Sequence, residues 1–461
     1  MAIRIVMDTH TQMMEATATA VRRPVFTAER APVSGMASAA PIRPLKVGVL
    51  VDLEYTPAAG GHVKCWQRLA EAAAEIPDSL DLTVHFNGTE KRELPLSPTV
   101  RYALLPPVFS TARLVRNPHL PDHTDIAPWH PHLARALPRY EVIHTTDAFF
   151  CYARTALRFA RTRGVPVVSS IHTNTPEYAR ITVGKMLQRR LGTGLAYRVA
   201  SDYLGVPNWV GSFLERRLEK HLSSVVAVVG SFVGEAGLGN GRGHHEMIIR
   251  RGLDRWLFSL ARRDRAWFER RFGLRRGDVI AVYAGKLNAG KNVPLLEPAI
   301  RAARARGVAV HLFCAGEGPE RARLQAALGP ASTFAGLLTQ DELARVYASA
   351  DLFLFPSEID EFGSAAQEAL ACGLPVLAAR GSGFASSMAD CPAVRVLPGD
   401  DPAVWAAAIA DLAAAPHRRR AMGRAGRAYV EARVPSWSEV LEQDLLPVWR
   451  SAALARQAVG R

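Results

Sequence analysis

The chain has 461 residues, 48% hydrophobic and 22% charged, the make-up of a globular protein rather than a disordered one, and its length predicts two domains. Its longest apolar runs, such as Val225–Val229 and Leu352–Phe355, have strand length and fall far short of the roughly 18 residues of a membrane span, so an integral membrane protein is not expected. Fifty-seven Lys and Arg against 43 Asp and Glu give a net charge of +14, which calls for anionic partners: nucleic acid, an acidic lipid surface or phosphorylated ligands.

Residues 1–44 carry no helical or strand period and no apolar segment of signal-peptide type. They read as a disordered extension, with Met36 as an alternative start. Order is expected from the strand Leu45–Val51, followed by a loop with Gly60 and Gly61 and a helix His62–Ala74. Strand-like runs recur at Leu82–Phe86, Val142–His144, Pro166–Ile171 and Val225–Val229, with helices Ala153–Arg163 and Phe213–His221 among them. Apolar strands alternating with helices predict a parallel sheet covered on both faces. The pattern then restarts: strand Val279–Gly285, helix Pro294–Arg306, strand Val308–Ala315, helix Asp341–Ala348, strand Asp351–Phe355, helix Ala365–Cys372 and strand Pro375–Ala378. The fold class is α/β. The expected domains are 45–258, 265–435 and a C-terminal helix and tail, 436–461, whose Trp437, Val440, Leu441 and Leu445 share one face.

The five cysteines are scattered, with no C-x-x-C pair. Neither a disulfide framework nor a zinc site is indicated, and a reducing, cytoplasmic location is expected.

In open α/β sheets, ligands sit beyond the carboxyl ends of the strands. Three junctions there carry chemistry. Gly60 and Gly61 let backbone approach a ligand at a helix start. Lys286 and Lys291 lie on a glycine-containing strand-to-helix loop and can clamp a diphosphate. Asp360 stands in an acidic loop eight residues before Glu368, with a helix starting near Ser364; two carboxylates at different depths of a cleft can each grip sugar hydroxyls, and the helix N-terminus can receive an anion. No G-x-G-x-x-G or G-x-x-x-x-G-K-[ST] follows a strand, which disfavours dehydrogenase and P-loop readings.

The third junction, Asp360…Phe362-Gly363…Glu368-Ala369…Cys372-Gly373-Leu374-Pro375-Val376, resembles the E-x7-E signature of retaining family 4 glycosyltransferases. Further motifs agree in order: Gly285-Lys286…Gly290-Lys291, Gly316-Glu-Gly-Pro319, Phe334–Leu338, Ala350–Ser357 and Leu397–Asp400. Asp360 stands where Glu is commoner, and Lys286 where Arg is.

The resemblance implies a GT-B fold, two facing Rossmann-like domains with the donor nucleotide sugar on the second and the acceptor on the first, and a C-terminal helix returning to the first domain. Glu368 would bind ribose hydroxyls, Asp360 the transferred sugar, Lys286 and Lys291 the diphosphate. Gly60 and Gly61 would cover the phosphates, and Phe362, Gly363 and Ser364 would line the donor site. His172 matches a histidine that faces the reacting sugar. The implied reaction moves a hexose-type sugar to a hydroxyl acceptor, lipid or glycan, with retention, without a cofactor, and with lysines rather than a metal at the diphosphate. The rival readings are a nucleotide-sugar epimerase on the same fold and a basic nucleic-acid-binding protein; no reader motif supports the latter, and nucleic acid is not expected as a partner. Arg180–His221 has eight Lys or Arg against three Asp or Glu, with Leu187, Leu191, Leu195 and Trp209 interleaved. That segment reads either as solvated helix faces or as a peripheral contact with anionic membrane.

Overall fold

The computed structural model describes residues 43–56, 59–110, 124–171, 175–192, 194–230, 245–247, 249–358, 360 and 362–459. The expected disordered extension lies outside the described residues as far as residue 42. The first domain is a sheet of β1 (Leu45–Glu54), β2 (Leu80–Asn87), β3 (Arg92–Pro95), β4 (Val100–Leu105), β5 (Val142–Thr145), β6 (Val167–Ile171), β7 (Ala227–Gly230) and β8 (His245–Met247). Its order is β3-β4-β2-β1-β5-β6-β7-β8, parallel except for β3, which runs antiparallel to β4. The second sheet holds β9 (Val279–Ala284), β10 (Val310–Ala315), β11 (Ser332–Gly336), β12 (Leu352–Phe355), β13 (Val376–Ala379) and β14 (Val394–Leu397), ordered β11-β10-β9-β12-β13-β14 and parallel throughout.

The strands read as apolar runs because helices bury both faces. In β1, Val47, Val49 and Val51 enter one core while Leu50 enters another. In β9, Ile280 and Val282 face one core, Ala281 and Tyr283 the other. This is the period-two alternation of a strand with no solvent face. In both sheets the strand order reverses beside the first strand, between β1 and β5 and between β9 and β12, which opens a crevice at each carboxyl edge. These are the two facing Rossmann-like domains of a GT-B fold.

The chain crosses between domains twice at one place. Ile249 packs in the first core and Leu253 in the second, so the crossing precedes the expected boundary at residue 258. The return passes from Val434 in the second core to Trp437 and Val440 in the first. Leu253 N–H donates to the Pro435 carbonyl at 2.9 Å, and the Arg250 guanidinium meets Asp444 at 2.7 Å. After the crossing, Arg265–Phe272 is a helix, capped by the Asp264 side chain on Trp267 N–H and closed by Gly273 at φ 64°.

The C-terminal helix returns to the first domain, where the Trp449 indole N–H donates to His144 Nδ1 at 2.9 Å. It is not continuous. A π-helical turn, Leu441–Leu445, separates Trp437–Val440 from Leu446–Val459. The extra residue in that turn lets Leu441 and Leu445 stay in the core while Asp444 turns inward to Arg250.

Candidate active site

The second crevice is built by the loops after β9 and β12. β9 ends at Ala284, and Gly285, with a φ of 148°, turns the chain. The Tyr283 hydroxyl donates to the Lys286 carbonyl at 2.9 Å. Asn288 then caps a short 3-10 turn, Ala289–Lys291, by accepting from Lys291 N–H. The Gly316-Glu-Gly-Pro319 segment after β10 braces this loop from behind, with Leu287 N–H donating to the Glu317 carbonyl at 2.9 Å. A Cβ on Gly316 would stand 2.0 Å from the Gly285 oxygen, and one on Gly318 2.3 Å from the Leu287 oxygen. These two glycines are there because backbone touches backbone. They set where Lys286 and Lys291 sit.

The loop after β12 brings Asp360 to the same place. Lys291 Nζ lies 2.6 Å from Asp360 Oδ2, with both side chains partly exposed. The other oxygen of Asp360 accepts from Gly363 N–H at 3.2 Å, which ties the acidic loop to the start of helix Ser364–Ala371. Gly363 caps that helix at φ 57° with no side-chain cap, and any Cβ there would enter the Phe384 ring, 2.6 Å away. Ala366 N–H donates to the Gly363 carbonyl at 2.8 Å, so the N–H groups of Ser364 and Ala365 at this helix start are the ones that can face a ligand or solvent. Lys291 and Asp360, expected from separate motifs, are thus joined directly, one on each side of the switch point.

Glu368 lies one turn further along, partly buried. Burial pushes its carboxyl up to about 7, against the pull of Lys64, Arg251 and Arg68. Those cations come from the first domain and the crossing: Lys64 and Arg68 sit on helix Gly61–Ala73, which starts at Gly60 without a side-chain cap. Arg68 also spans the cleft to Gln340 Oε1 at 3.0 Å. Glu368 therefore faces a basic wall across the interdomain cleft.

Arg251 is the residue that the sequence motifs missed. It sits on the crossing, with its guanidinium carbon 5.5 Å from the Phe362 ring centroid and 5.4 Å from that of Trp437. Its Nη2 donates to the Gly61 carbonyl at 2.8 Å. One side chain thereby holds the Gly60–Gly61 turn, the acidic loop and the C-terminal crossing. Only its place in an Arg-Arg-Gly run marks it in sequence, and that signal is too common to find it. His172 lies outside the described residues.

At the first domain's switch point the polar groups turn inward. Asp52, at the end of β1, is buried and accepts from Asn87 Nδ2 at 2.7 Å, Tyr152 N–H at 2.9 Å and Asp125 N–H at 3.1 Å. Burial, then the nearby Asp147 carboxylate, pushes its carboxyl up to about 7 against those donors. Asp147 itself accepts from Phe149 and Phe150 N–H. Among the described residues no three His, Cys, Asp or Glu side chains converge as a metal site, and no helix is long and apolar enough to cross a membrane.

Residues 278–415, the stretch that contains Lys286, Lys291, Asp360 and Glu368, match the family described as Glycosyl transferases group 1. Over that stretch the chain is similar to glycosyl transferases group 1. It is 34% identical over 214 residues to a D-inositol 3-phosphate glycosyltransferase of Segniliparus rotundus, covering 44% of this chain and 46% of that one. It is 31% identical over 249 residues to a GDP-mannose-dependent alpha-mannosyltransferase of Mycobacterium tuberculosis, covering 53% and 57%. The alignments thus span about half the length of these relatives. Sucrose-phosphate synthase from Thermosynechococcus elongatus superposes with a TM-score of 0.62 at 21% identity, over 90% of this chain and all of that one. That similarity concerns the fold.

Proposed function

We propose that this chain is a retaining, nucleotide-sugar-dependent hexosyltransferase, acting in the cytoplasm on a hydroxyl acceptor carried by a lipid or glycan at a membrane surface. The observation that carries the reading is the Lys291–Asp360 pair, 2.6 Å apart across the switch point, with Lys286 on the same loop. A cation and an anion that close define neighbouring subsites, phosphate oxygens at the ammonium and sugar hydroxyls at the carboxylate. Glu368, one turn deeper, suits the ribose. The similarity to a GDP-mannose-dependent mannosyltransferase supports the donor class.

The bond from the anomeric carbon to the diphosphate breaks and leaves negative charge on the phosphates. Lys286, Lys291 and the uncapped first turn at Ser364 are placed to stabilise it, each such preorganised group supplying about 3–4 kcal/mol. The acceptor oxygen bonds to the same face of that carbon. Its proton passes to a phosphate oxygen of the departing diphosphate, so no protein base or covalent intermediate is needed.

Purified protein incubated with UDP- and GDP-hexoses, a lipid extract and EDTA is expected to form a product with the donor's anomeric configuration, read by NMR coupling constants. Epimerised donor without acceptor would identify an epimerase instead, and turnover abolished by EDTA but restored by magnesium or manganese would overturn the lysine-based reaction. Donor binding is read separately by thermal shift, since a ligand at 100 times its Kd adds about 2.7 kcal/mol.

A further inference from the structure

Helices Thr175–Leu191 and Val206–Leu222 leave and re-enter the first sheet between β6 and β7. Their contacts run in opposite senses: a Cβ on Gly184 would meet Pro207, and one on Gly211 would run into Arg180, which also pairs with Glu215. The two therefore form an antiparallel hairpin. With 17 residues in each helix and a rise of about 1.5 Å per residue, it extends about 25 Å. The described residues of its connection, 192 and 194–205, sit at the far end from the sheet.

That end is apolar where a protein surface is ordinarily polar. Leu195 is 78% exposed, Tyr203 86%, Leu204 62% and Trp209 64%. Met186, Leu191, Val199 and Phe213 are exposed as well, so eight of the fifteen large exposed apolar side chains among the described residues fall within 186–213. Leu195, Val199 and Tyr203 recur at every fourth position along the turns Leu195–Arg198 and Val199–Tyr203, and Trp209 stacks on Phe213 with ring centroids 6.0 Å apart. Exposed Arg190 and Arg198 flank this stripe, and Arg216 and Lys220 stand exposed along the hairpin. Arg180–His221 as a whole has eight Lys or Arg against three Asp or Glu.

We infer that the end of this hairpin is a membrane anchor that inserts Leu195, Tyr203, Leu204 and Trp209 into the interface of an anionic bilayer, with Arg190 and Arg198 on the lipid headgroups. The chemistry selects the occupant. Leucines with Tyr and Trp at one end of an element, bordered by arginine, match a headgroup-to-acyl boundary, where aromatic side chains place an apolar body and a polar tip. The excess of positive charge complements anionic headgroups. A projecting end offers little concave area for a protein partner to enclose. The inference builds on the acceptor reading above by naming the surface that brings the enzyme to a lipid, but its test requires no turnover.

The probe is co-sedimentation with phosphatidylcholine vesicles and with phosphatidylcholine–phosphatidylglycerol vesicles. Binding is expected on the anionic vesicles, with release as salt rises, and each arginine removed in Arg190→Gln or Arg198→Gln is expected to weaken partition about fivefold. Leu195→Ser combined with Leu204→Ser should abolish sedimentation while the nucleotide-induced thermal shift is retained. Vesicle binding should also shift tryptophan emission to the blue, a change lost in Trp209→Phe. Equal, negligible sedimentation with both vesicle types overturns the inference, as does a dimer on gel filtration that only the serine variant dissolves. A normal thermal shift alongside absent vesicle binding would sink the anchor and leave the donor-site reading standing.

Discussion

The two switch points of this molecule have the same topology and opposite arrangements of their polar groups. After β9 and β12, Lys291 and Asp360 meet at 2.6 Å and remain about one-third exposed, at 33% and 28%. After β1 and β5, Asp52 and Asp147 are turned inward onto backbone N–H groups. A carboxylate at a strand's carboxyl edge therefore does not by itself mark a ligand site. What decides is whether its acceptors are spent on the protein's own loops. Asp52 spends them on three buried donors and braces the first domain, while Asp360 spends one oxygen on Gly363 and presents the other beside a cation.

The comparison breaks most visibly in the second crevice. Lys291→Ala is expected to lower kcat by about 100- to 1,000-fold, the range for loss of one preorganised charge-stabilising group, and Asp360→Asn to lower turnover as well by weakening the grip on the sugar hydroxyls. Melting should hardly move, since an ion pair this exposed contributes about 0–1 kcal/mol to stability. Near-normal turnover of both variants at saturating donor would remove the pair from the chemistry. In the first crevice the expectation inverts. Asp52→Ala strands buried donors on Asn87, Asp125 and Tyr152, and at about 1–3 kcal/mol for each unsatisfied group should cost about 3 kcal/mol or more of stability in urea unfolding, with nucleotide affinity unchanged in the folded fraction. A stable Asp52→Ala protein that has lost turnover would make Asp52 a catalytic group and erase the contrast.

How much the sequence disclosed differs between the same two regions. In the second domain β9, β10, β12 and β13 were legible because they are largely apolar runs, while the edge strands β11 and β14, only partly buried, were not read as strands. Its loops are fixed by local features, and Gly285, the Gly316–Pro319 brace and the Gly363 helix start all leave marks in the residues themselves. In the first domain β1, β2, β5, β6 and β7 were equally readable, but the parallel strands β4 and β8 were not read as strands. The edge strand β3, Arg92–Pro95, was not legible either, because four residues with three of them exposed carry no apolar period. Helix Thr175–Leu191 was missed for a related reason: its apolar residues do not gather on one face. The roles of Arg251 and of Asp52 were hidden because both depend on partners far along the chain, Gly61, Phe362 and Trp437 for one and Asn87, Asp125 and Tyr152 for the other. Tertiary pairing of this kind leaves no spacing to read.

Arg251 lies between the two regions and links the first domain's glycine turn to the second domain's acidic loop. Arg251→Met keeps an apolar stem between Phe362 and Trp437 but loses the bond to the Gly61 carbonyl and the cation–π contacts. At about 1 kcal/mol for the hydrogen bond and about 0.5–1 for an exposed cation–π contact, the apparent donor KM should rise about tenfold with a smaller change in kcat. Arg251→Lys should recover only part, because an ammonium cannot both lie flat between two rings and reach Gly61. An unchanged KM in both variants would show that the crossing holds the domains without regard to donor.

The smallest effect expected at neutral pH is the pH dependence of donor affinity, and it concerns Glu368. Burial pushes its carboxyl up to about 7, so near neutrality the side chain is about half protonated. Only the ionised form offers every lone pair to ribose hydroxyls. Binding that prefers the carboxylate must weaken as pH falls through 7, approaching about tenfold per pH unit below it and costing only about twofold at pH 7 itself. The ligand should be an intact nucleotide sugar, because a diphosphate esterified at both ends has no proton to gain in this range, whereas a free terminal phosphate titrates near pH 6. Calorimetry across pH 5.5–8.5 should give this profile in the native protein and a flat one in Glu368→Gln. The sign is diagnostic: affinity that rises as pH falls would mean that the protonated carboxyl donates to the donor sugar or phosphate, and a flat native profile would place the ribose away from Glu368 altogether.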